Sequence, residues 1–319
     1  MKKKILALVA LLLIAVMTFA SCGAGKLTMG TGGTGGTYYA FGAVLSQYVE
    51  NFAGTSCVAV STDGSKANIQ GIDAGDYQLG TVQSDVMAYA WNGTNTFAET
   101  GKISTFRVIG GLYAEAVQLI TMDANIKSVA DLRGKSVSIG APASGVYFNA
   151  IDVLTAAGLT IEDINPQYLS FNDSVDNLKD GKIAAAFVVA GAPTPAVVDL
   201  MTSKDAYLVP NDGEIAATVM ESCPYYTEYT IPAGTYKGQD ADVKTITVKA
   251  TLIVSADLDE DTVYNITKAI FDHAADIAKE HAKGAELTLA NATEGMTAPF
   301  HAGAARYFAE KGITVTVEA

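Results

Sequence analysis

Between residues 26 and 89, an apolar run, a loop of small polar residues and an amphipathic stretch follow one another three times. That order constrains the fold more than any other feature of the chain. Lys26-Leu27-Thr28-Met29 reads as a short strand and leads into the loop Gly30-Thr31-Gly32-Gly33-Thr34-Gly35-Gly36. From residue 37 to about 52, Phe41, Val44, Leu45, Tyr48, Val49 and Phe52 recur at the spacing of one buried helix face. Thr37 is the predicted N-cap, because its hydroxyl suits the free N–H groups of a first turn. A strand over 57–60 ends in Ser61-Thr62-Asp63-Gly64-Ser65, and a helix runs from about 66 to 75. A strand over 79–82 passes into Gln83-Ser84-Asp85 and a helix through 89. Alternation of this kind predicts an open, largely parallel sheet with helices on both faces.

The pattern resumes after a long β-like run over 106–122 and a turn at Asp131-Leu132-Arg133-Gly134-Lys135. Strand 136–140, loop Ala141-Pro142-Ala143-Ser144-Gly145 and helix 146–157 form one further unit. Strand 184–189, loop Ala190-Gly191-Ala192-Pro193-Thr194 and helix 195–201 form another. Residues 245–255 alternate like a strand. Residues 260–283 read as one amphipathic helix with Val263, Ile266, Ile270, Ala274, Ile277 and Ala278 on one face, and 302–311 as a last helix. A chain of 319 residues usually divides into two domains. The predicted fold is α/β: two hinge-linked lobes with mixed sheets and helices on both faces. Residues 22–115 plus 247–319 build one lobe and 116–246 the other. Ligands of open α/β sheets sit at the carboxyl ends of the strands. The five strand-to-helix loops there are rich in Gly, Ser and Thr, which suits N–H groups and hydroxyls turned toward a solute.

Lys2, Lys3 and Lys4 precede an apolar run over 5–17 and then Thr18-Phe19-Ala20-Ser21-Cys22. A basic start, a short apolar core and small residues before a cut describe a secretory signal peptide over 1–21. The run is shorter than the ~20 residues of a membrane-spanning helix. Ala20-Ser21-Cys22 resembles the lipid-attachment site of bacterial lipoproteins, although Phe19 departs from the smaller aliphatic residue usual there. An exported chain anchored through a lipid on Cys22 is therefore expected. Cleavage removes three lysines and no acids, so the net charge moves from −13 to −16. An acidic body offers no electrostatic footprint for nucleic acid. It is also repelled by anionic headgroups, which leaves the lipid as the contact with the membrane. Cys57 and Cys223 read as small buried apolar residues, with a disulfide in an oxidising compartment as the alternative.

Several enzymatic readings fail on the residues. Gly30, Gly32 and Gly35 match G-x-G-x-x-G between a strand and a helix, and Glu50 lies where a ribose contact would be sought. The match is embedded in a Gly/Thr repeat, where chance agreement is common, and an exported protein meets little NAD. No Gly-Lys-Ser/Thr follows to make a phosphate loop, and no G-x-S-x-G elbow is present. His273, His281 and His301 have no zinc-site spacing. No cofactor, metal or catalytic residue is expected, and the chain is not read as an enzyme.

Gly32-Gly33-Thr34-Gly35-Gly36-Thr37-Tyr38-Tyr39 resembles the opening of the TAXI-type solute-binding proteins of TRAP transporters. The resemblance continues in order through Asp131-Leu132-Arg133-Gly134-Lys135, Gly140-Ala141-Pro142 with Ser144-Gly145, and Ala190-Gly191-Ala192-Pro193-Thr194-Pro195. It ends with Ile231-Pro232-Ala233-Gly234-Thr235-Tyr236 and Pro299-Phe300-His301 with Gly303-Ala304 and Arg306-Tyr307. Val146-Tyr147-Phe148 departs from the more polar stretch of many relatives. The resemblance implies a two-lobed fold like the type II periplasmic binding proteins. It implies capture of a small carboxylate such as glutamate, glutamine or a dicarboxylate, and delivery to a membrane permease, by a monomer. A binding protein for an ATP-driven transporter, or a sensor for a membrane kinase, is the alternative.

Arg107, Arg133 and Arg306 are the arginines of the chain, and none lies in a loop of the expected cleft. The glycine loop opening onto a helix offers another way to hold an anion. One helix terminus contributes roughly 0.3–1 kcal/mol when exposed and about 2 when partly buried. Micromolar binding needs about 8 kcal/mol, so several loops must converge. The expected ligand contacts are Gly36, Thr37, Tyr38, Ser65, Ser84 and Tyr113 from the first lobe. Ser144, Gly145 and Gly191 are expected from the second, with Pro193 stiffening its loop. Asp85 is the acceptor for an amino group, or else a helix N-cap beside Ser84, and Glu115 is a structural residue at the hinge.

Overall fold

The computed structural model describes residues 26–318. The expected signal peptide and the lipid site at Cys22 lie outside the described residues. Strand β1 (Leu27–Gly30), helix α1 (Thr37–Phe52), β2 (Cys57–Val60), α2 (Ser65–Asp73), β3 (Leu79–Gln83) and α3 (Ser84–Asn92) follow the predicted order. The long β4 (Phe106–Thr121) comes next, then β5 (Ser136–Ser138), α4 (Val146–Ala156), β6 (Asn165–Gln167), α5 (Phe171–Lys179), β7 (Ala185–Ala190) and α6 (Pro195–Ser203). Then come β8 (Tyr207–Val209), α7 (Gly213–Ser222) and β9 (Thr227–Ile231). The second long strand, β10 (Val243–Ser255), leads to α8 (Glu260–Phe271), α9 (Ala274–Glu280), α10 (Leu289–Thr293) and α11 (Ala302–Glu310).

The strands join in one sheet of order β2-β1-β3-β10-β4-β7-β5-β6, with β8 on β4 and β9 on β10. Its flanks, β2-β1-β3 and β7-β5-β6, are parallel, as the strand–loop–helix units require. Its centre is antiparallel, which corrects the expectation of a largely parallel sheet. The cause is β4 and β10, which run beside each other from Phe106↔Ser255 to Ala116↔Thr247. There they part: β4 continues against β7 and β8, and β10 continues against β9. The strands next to them, β3 and β7, are buried at every position. Leu79, Val82, Phe187, Val188, Val189 and small residues fill them because both faces are covered.

Burial divides at the same place. Apolar side chains from residues 27–113 and 250–308 form one cluster around Phe41, Leu45, Ile69, Phe106 and Ile253. Those from 116–248 form two others, on either face of β7, around Val137, Val153 and Phe187 and around Val188, Val197 and Leu200. We call these the first-core and second-core sides. Cys57 and Cys223 are buried, free and in different cores, and burial pushes both thiols up.

Two sequence expectations need correction. Residues 260–283 form two helices, α8 and α9, separated at Asp272 and His273. Asp272 accepts from Lys268, Tyr307 and Lys311, and His273 stacks on Phe52 at 3.7 Å. Tyr307 on α11, Lys311 just after it and Phe52 on α1 reach in from distant segments, which local periodicity does not show. Helices α5 and α7 and strands β6, β8 and β9 were not expected. The three-residue β6 and β8 are too short to show a period, and α5 buries only Ser174, Val175 and Leu178 of nine residues.

The C-terminal motif has a packing role. His301 caps α11 by accepting from the Gly303 N–H at 3.1 Å, and its Nε2 meets the Leu258 carbonyl oxygen at 3.0 Å. A Cβ at Gly303 would stand 2.2 Å from the Glu260 carbonyl oxygen and 2.6 Å from the Tyr264 nitrogen. Backbone cannot retreat as a side chain would. Gly303→Ala should therefore cost about 1–3 kcal/mol, the usual range for overpacking, read as a lower urea midpoint with an unchanged m-value.

Candidate functional site

Between the two sides lies a cavity of about 350 Å³, within the size range of small-molecule sites. The starts of four helices form its walls. Gly36, Thr37 and Tyr38 open α1; Gly64 and Ser65 open α2; Gly145 and Val146 open α4; Ser170, Phe171 and Asn172 open α5. The first two belong to the first-core side and the last two to the second. The N-caps of α1, α2 and α4 are glycines with no side-chain cap, so their first-turn N–H groups are left to other partners. Thr37 is thus the first residue of α1 instead of its cap, and its hydroxyl donates to the Gly191 carbonyl at 2.7 Å.

That bond is one of several that cross between the sides. Asn172 Nδ2 donates to Thr34 Oγ1 at 3.1 Å, and Ala196 N donates to the Gly35 carbonyl at 3.0 Å. Gln83 Nε2 donates to Asn149 Oδ1 at 2.9 Å, and Asn149 Nδ2 donates to Asp85 Oδ2 at 2.9 Å. Two glycines make the approach close enough. A Cβ at Gly35 would fall 2.2 Å from Asn172 Oδ1, and one at Gly145 would fall 1.4 Å from Gln83 Oε1 and 2.8 Å from Val86 Cγ2. The sides touch where side chains are smallest.

The charges of the wall are acidic. Glu115 and Asp63 line the cavity, and among the described residues no Lys, Arg or His does. Each arginine is paired at the surface: Arg107 with Glu318, Arg133 with Asp163, Arg306 with Glu260 and Asp261. Glu115 is 1 % exposed and accepts from the Tyr38 hydroxyl at 2.7 Å. Burial drives its carboxyl well above the usual range, and Asp85 adds to the rise. Tyr38 and Lys283 act the other way. Burial also raises the Tyr38 and Tyr113 hydroxyls. Among the described residues no group of three or more His, Cys, Asp or Glu side chains is placed to hold a metal.

Residues 29–312 match the model of the NMT1-like family. The chain belongs to that family. Its fold is that of the periplasmic binding proteins. A protein of Bordetella bronchiseptica RB50 superposes with a TM-score of 0.54 at 16% identity, over 89% of this chain and 88% of that one. A protein assigned as an L-cystine ABC transporter from Listeria monocytogenes gives 0.51 at 17% identity, over 82% and 97%. The alkanesulfonate-binding protein SsuA of Xanthomonas axonopodis pv. citri, solved with MOPS bound, gives 0.50 at 16% identity, over 84% and 80%.

Of the residues singled out from the sequence of this NMT1-like protein, Gly36, Thr37, Tyr38, Ser65, Ser144 and Gly145 line the cavity. Ser84, Asp85, Tyr113, Gly191 and Pro193 do not. The Ser84 hydroxyl accepts from Lys249 N at 3.2 Å and its carbonyl from Thr297, both on the first-core side. Asp85 is wholly buried in the first turn of α3 and is held by Asn149. Tyr113 packs edge-on against Phe41 at 5.3 Å, inside the first core. Gly191 meets Thr37 behind the wall, and Pro193 is exposed beyond it. The sequence reading missed Gln83, Asn172 and Phe171 as wall residues and took Glu115 for a purely structural one. One signal for Glu115 was there: a single acid in a strand otherwise apolar or small from Val108 to Ala116.

Two predictions follow from this geometry. Gly145→Val should leave the protein folded but hold the sides apart, and lower affinity for any ligand that bridges the cavity by at least tenfold; isothermal titration checks this. Asp85 supplies the other. Burial pushes its carboxyl up to about 7 against hydrogen bonds that pull it down. The folded state then binds more protons than the unfolded one, so stability falls as pH rises from about 4 to about 7. Asp85→Asn should flatten that slope, removing a loss on the order of 4 kcal/mol, in urea titrations run across the window.

Proposed function

We propose that this NMT1-like protein is an extracytoplasmic solute-binding protein. Its two lobes, residues 22–115 plus 247–319 and residues 116–246, close around a small carboxylate and present it to a TRAP-type membrane permease. One observation carries the reading: helix starts from both lobes converge on a single cavity without a cationic side chain. The three uncapped termini, α1, α2 and α4, at the partly buried end of their range of about 2 kcal/mol each, supply a large part of the ~8 kcal/mol of a micromolar site, while α5 is already capped by Ser170. Glutamate, glutamine and related dicarboxylates are the ligands this favours in size and charge. Structural neighbours named for an alkanesulfonate and for L-cystine support a small polar solute. In this reading the chain is exported, monomeric and held to the membrane by a lipid on Cys22, and performs no covalent chemistry.

Delivery works by population shift. A ligand that meets α1 and α2 from one lobe and α4 and α5 from the other gains its full set of contacts only when the lobes are shut. The neighbour assigned to an ABC transporter favours a second reading, in which the same closed face docks an ATP-driven permease. Binding to the purified permease of each class separates the two.

A thermal-shift screen of glutamate, glutamine, 2-oxoglutarate and C4–C5 dicarboxylates should raise the melting temperature for at least one. Small-angle scattering with that compound should show a smaller radius of gyration. A melting shift without compaction would remove lobe closure from the mechanism, and silence from every acid would remove the carboxylate.

A further inference from the structure

Resting on the reading of the cavity as a solute site, we propose that Glu115 recognises an ammonium group and that the ligand is an α-amino acid bound as its zwitterion. A dicarboxylate without an amino group is then the poorer ligand.

The argument is a charge inventory of the wall. Glu115 is 1 % exposed yet lines the cavity. Its Oε2 accepts from Tyr38 at 2.7 Å, and among the described residues its Oε1 accepts from nothing. The cation beside it is Lys283, but that ammonium donates to Glu286 Oε1 at 2.7 Å. Glu286 Oε2 in turn accepts from the Ala114 N–H at 2.7 Å. Lys283 is thus committed to Glu286, and among the described residues no ammonium or guanidinium makes an ion pair with Glu115. Burial pushes the unpaired Glu115 toward its protonated form, and an ammonium brought by the ligand favours the carboxylate again.

The remaining wall has the opposite character. The uncapped starts of α1, α2 and α4 present partial positive charge through N–H groups, the partner a carboxylate needs. A molecule with a carboxylate and an ammonium a bond or two apart matches both parts. Gln83 adds another acceptor on the same cavity, because its Oε1 is buried without a partner. An ammonium brings three donors and can use more than one acceptor. A glutarate-like ligand offers no donor to Glu115 and sets a second negative charge near it. Asp85, which the sequence suggested for this role, is already held by Asn149 and does not reach the cavity wall.

The test is a comparison of matched acids by isothermal titration on the mature chain: L-glutamate with glutarate, L-glutamine with glutaramate, and L-leucine with 4-methylpentanoate. The best-bound amino acid should bind about 10- to 100-fold more tightly than its deaminated partner, the range for a hydrogen bond to a charged group. In Glu115→Gln that ratio should fall below about threefold through loss of amino-acid affinity, with the deaminated acid unchanged or tighter. A ratio near one in the wild type, or a ratio that survives Glu115→Gln, overturns the assignment. The wild-type ratio decides alone if the variant does not fold. Tight binding and compaction with glutarate but not glutamate would overturn this inference while closure on a carboxylate stands. No binding by any of the acids, with scattering unchanged, would remove both.

Discussion

The antiparallel pairing of β4 with β10 is the constraint on which the rest of the molecule depends. It joins the two sides of the protein, and it ends at Ala116 and Thr247, where each strand takes new neighbours. Strands crossing between two cores keep their backbone hydrogen bonds satisfied on both sides of the crossing. They still permit twist at the point where pairing changes. Glu115 stands one residue before that point, opposite Val248. Glu115 is thus both on the wall of the cavity and beside the point where the pairing changes, and on the proposed reading a ligand that pairs with it acts where the two sides are joined.

The alternation along β4 explains how one strand serves core and cavity. Tyr113 and Glu115 are two apart and share a face of the strand. Phe41 and Tyr38 are three apart and share a face of α1. Tyr113 meets Phe41, and Glu115 meets Tyr38. Moving one residue pair along the strand changes the environment from packed rings to a charged wall. Local pattern marks both positions as inward, and it cannot say which inward position faces apolar side chains and which faces a gap.

That limit describes what was legible in the sequence. The strand–loop–helix units, the long run over 106–122 and the small loops at the helix starts were readable, because periodicity and glycine are local signals. Gly145 and Gly35 were readable as loop glycines, while their reason, the approach of Gln83 and Asn172 from the other side, was not. The sequence points to Ser84 and Asp85 because a polar pair after a strand suits a ligand. Lys249, Thr297 and Asn149 claim them instead, from residues distant in sequence. The break between α8 and α9 has the same origin in Asp272 and His273.

If the two sides close on a ligand as proposed, the bonds that cross between them set how it controls closure. Thr37 with Gly191, Asn172 with Thr34, Ala196 with Gly35 and Gln83 with Asn149 are hydrogen bonds between neutral groups, and Asn149 with Asp85 adds one to a carboxyl. Each contributes roughly 0.5–1.5 kcal/mol net, since water replaces it when the sides part. Turning a population from 1:99 to 99:1 takes about 5.5 kcal/mol. On the proposed reading, a handful of such bonds leaves the shut form within that reach of an open one, so neither state is locked. An arginine clamp across the gap would bind an anion harder, and it would also bury a guanidinium whenever the empty protein shut. Helix termini avoid that cost because their charge is partial and already fixed in the backbone. On the proposed reading the wall is built to tip a near-balanced equilibrium on capture and to let go again when the partner draws the sides apart.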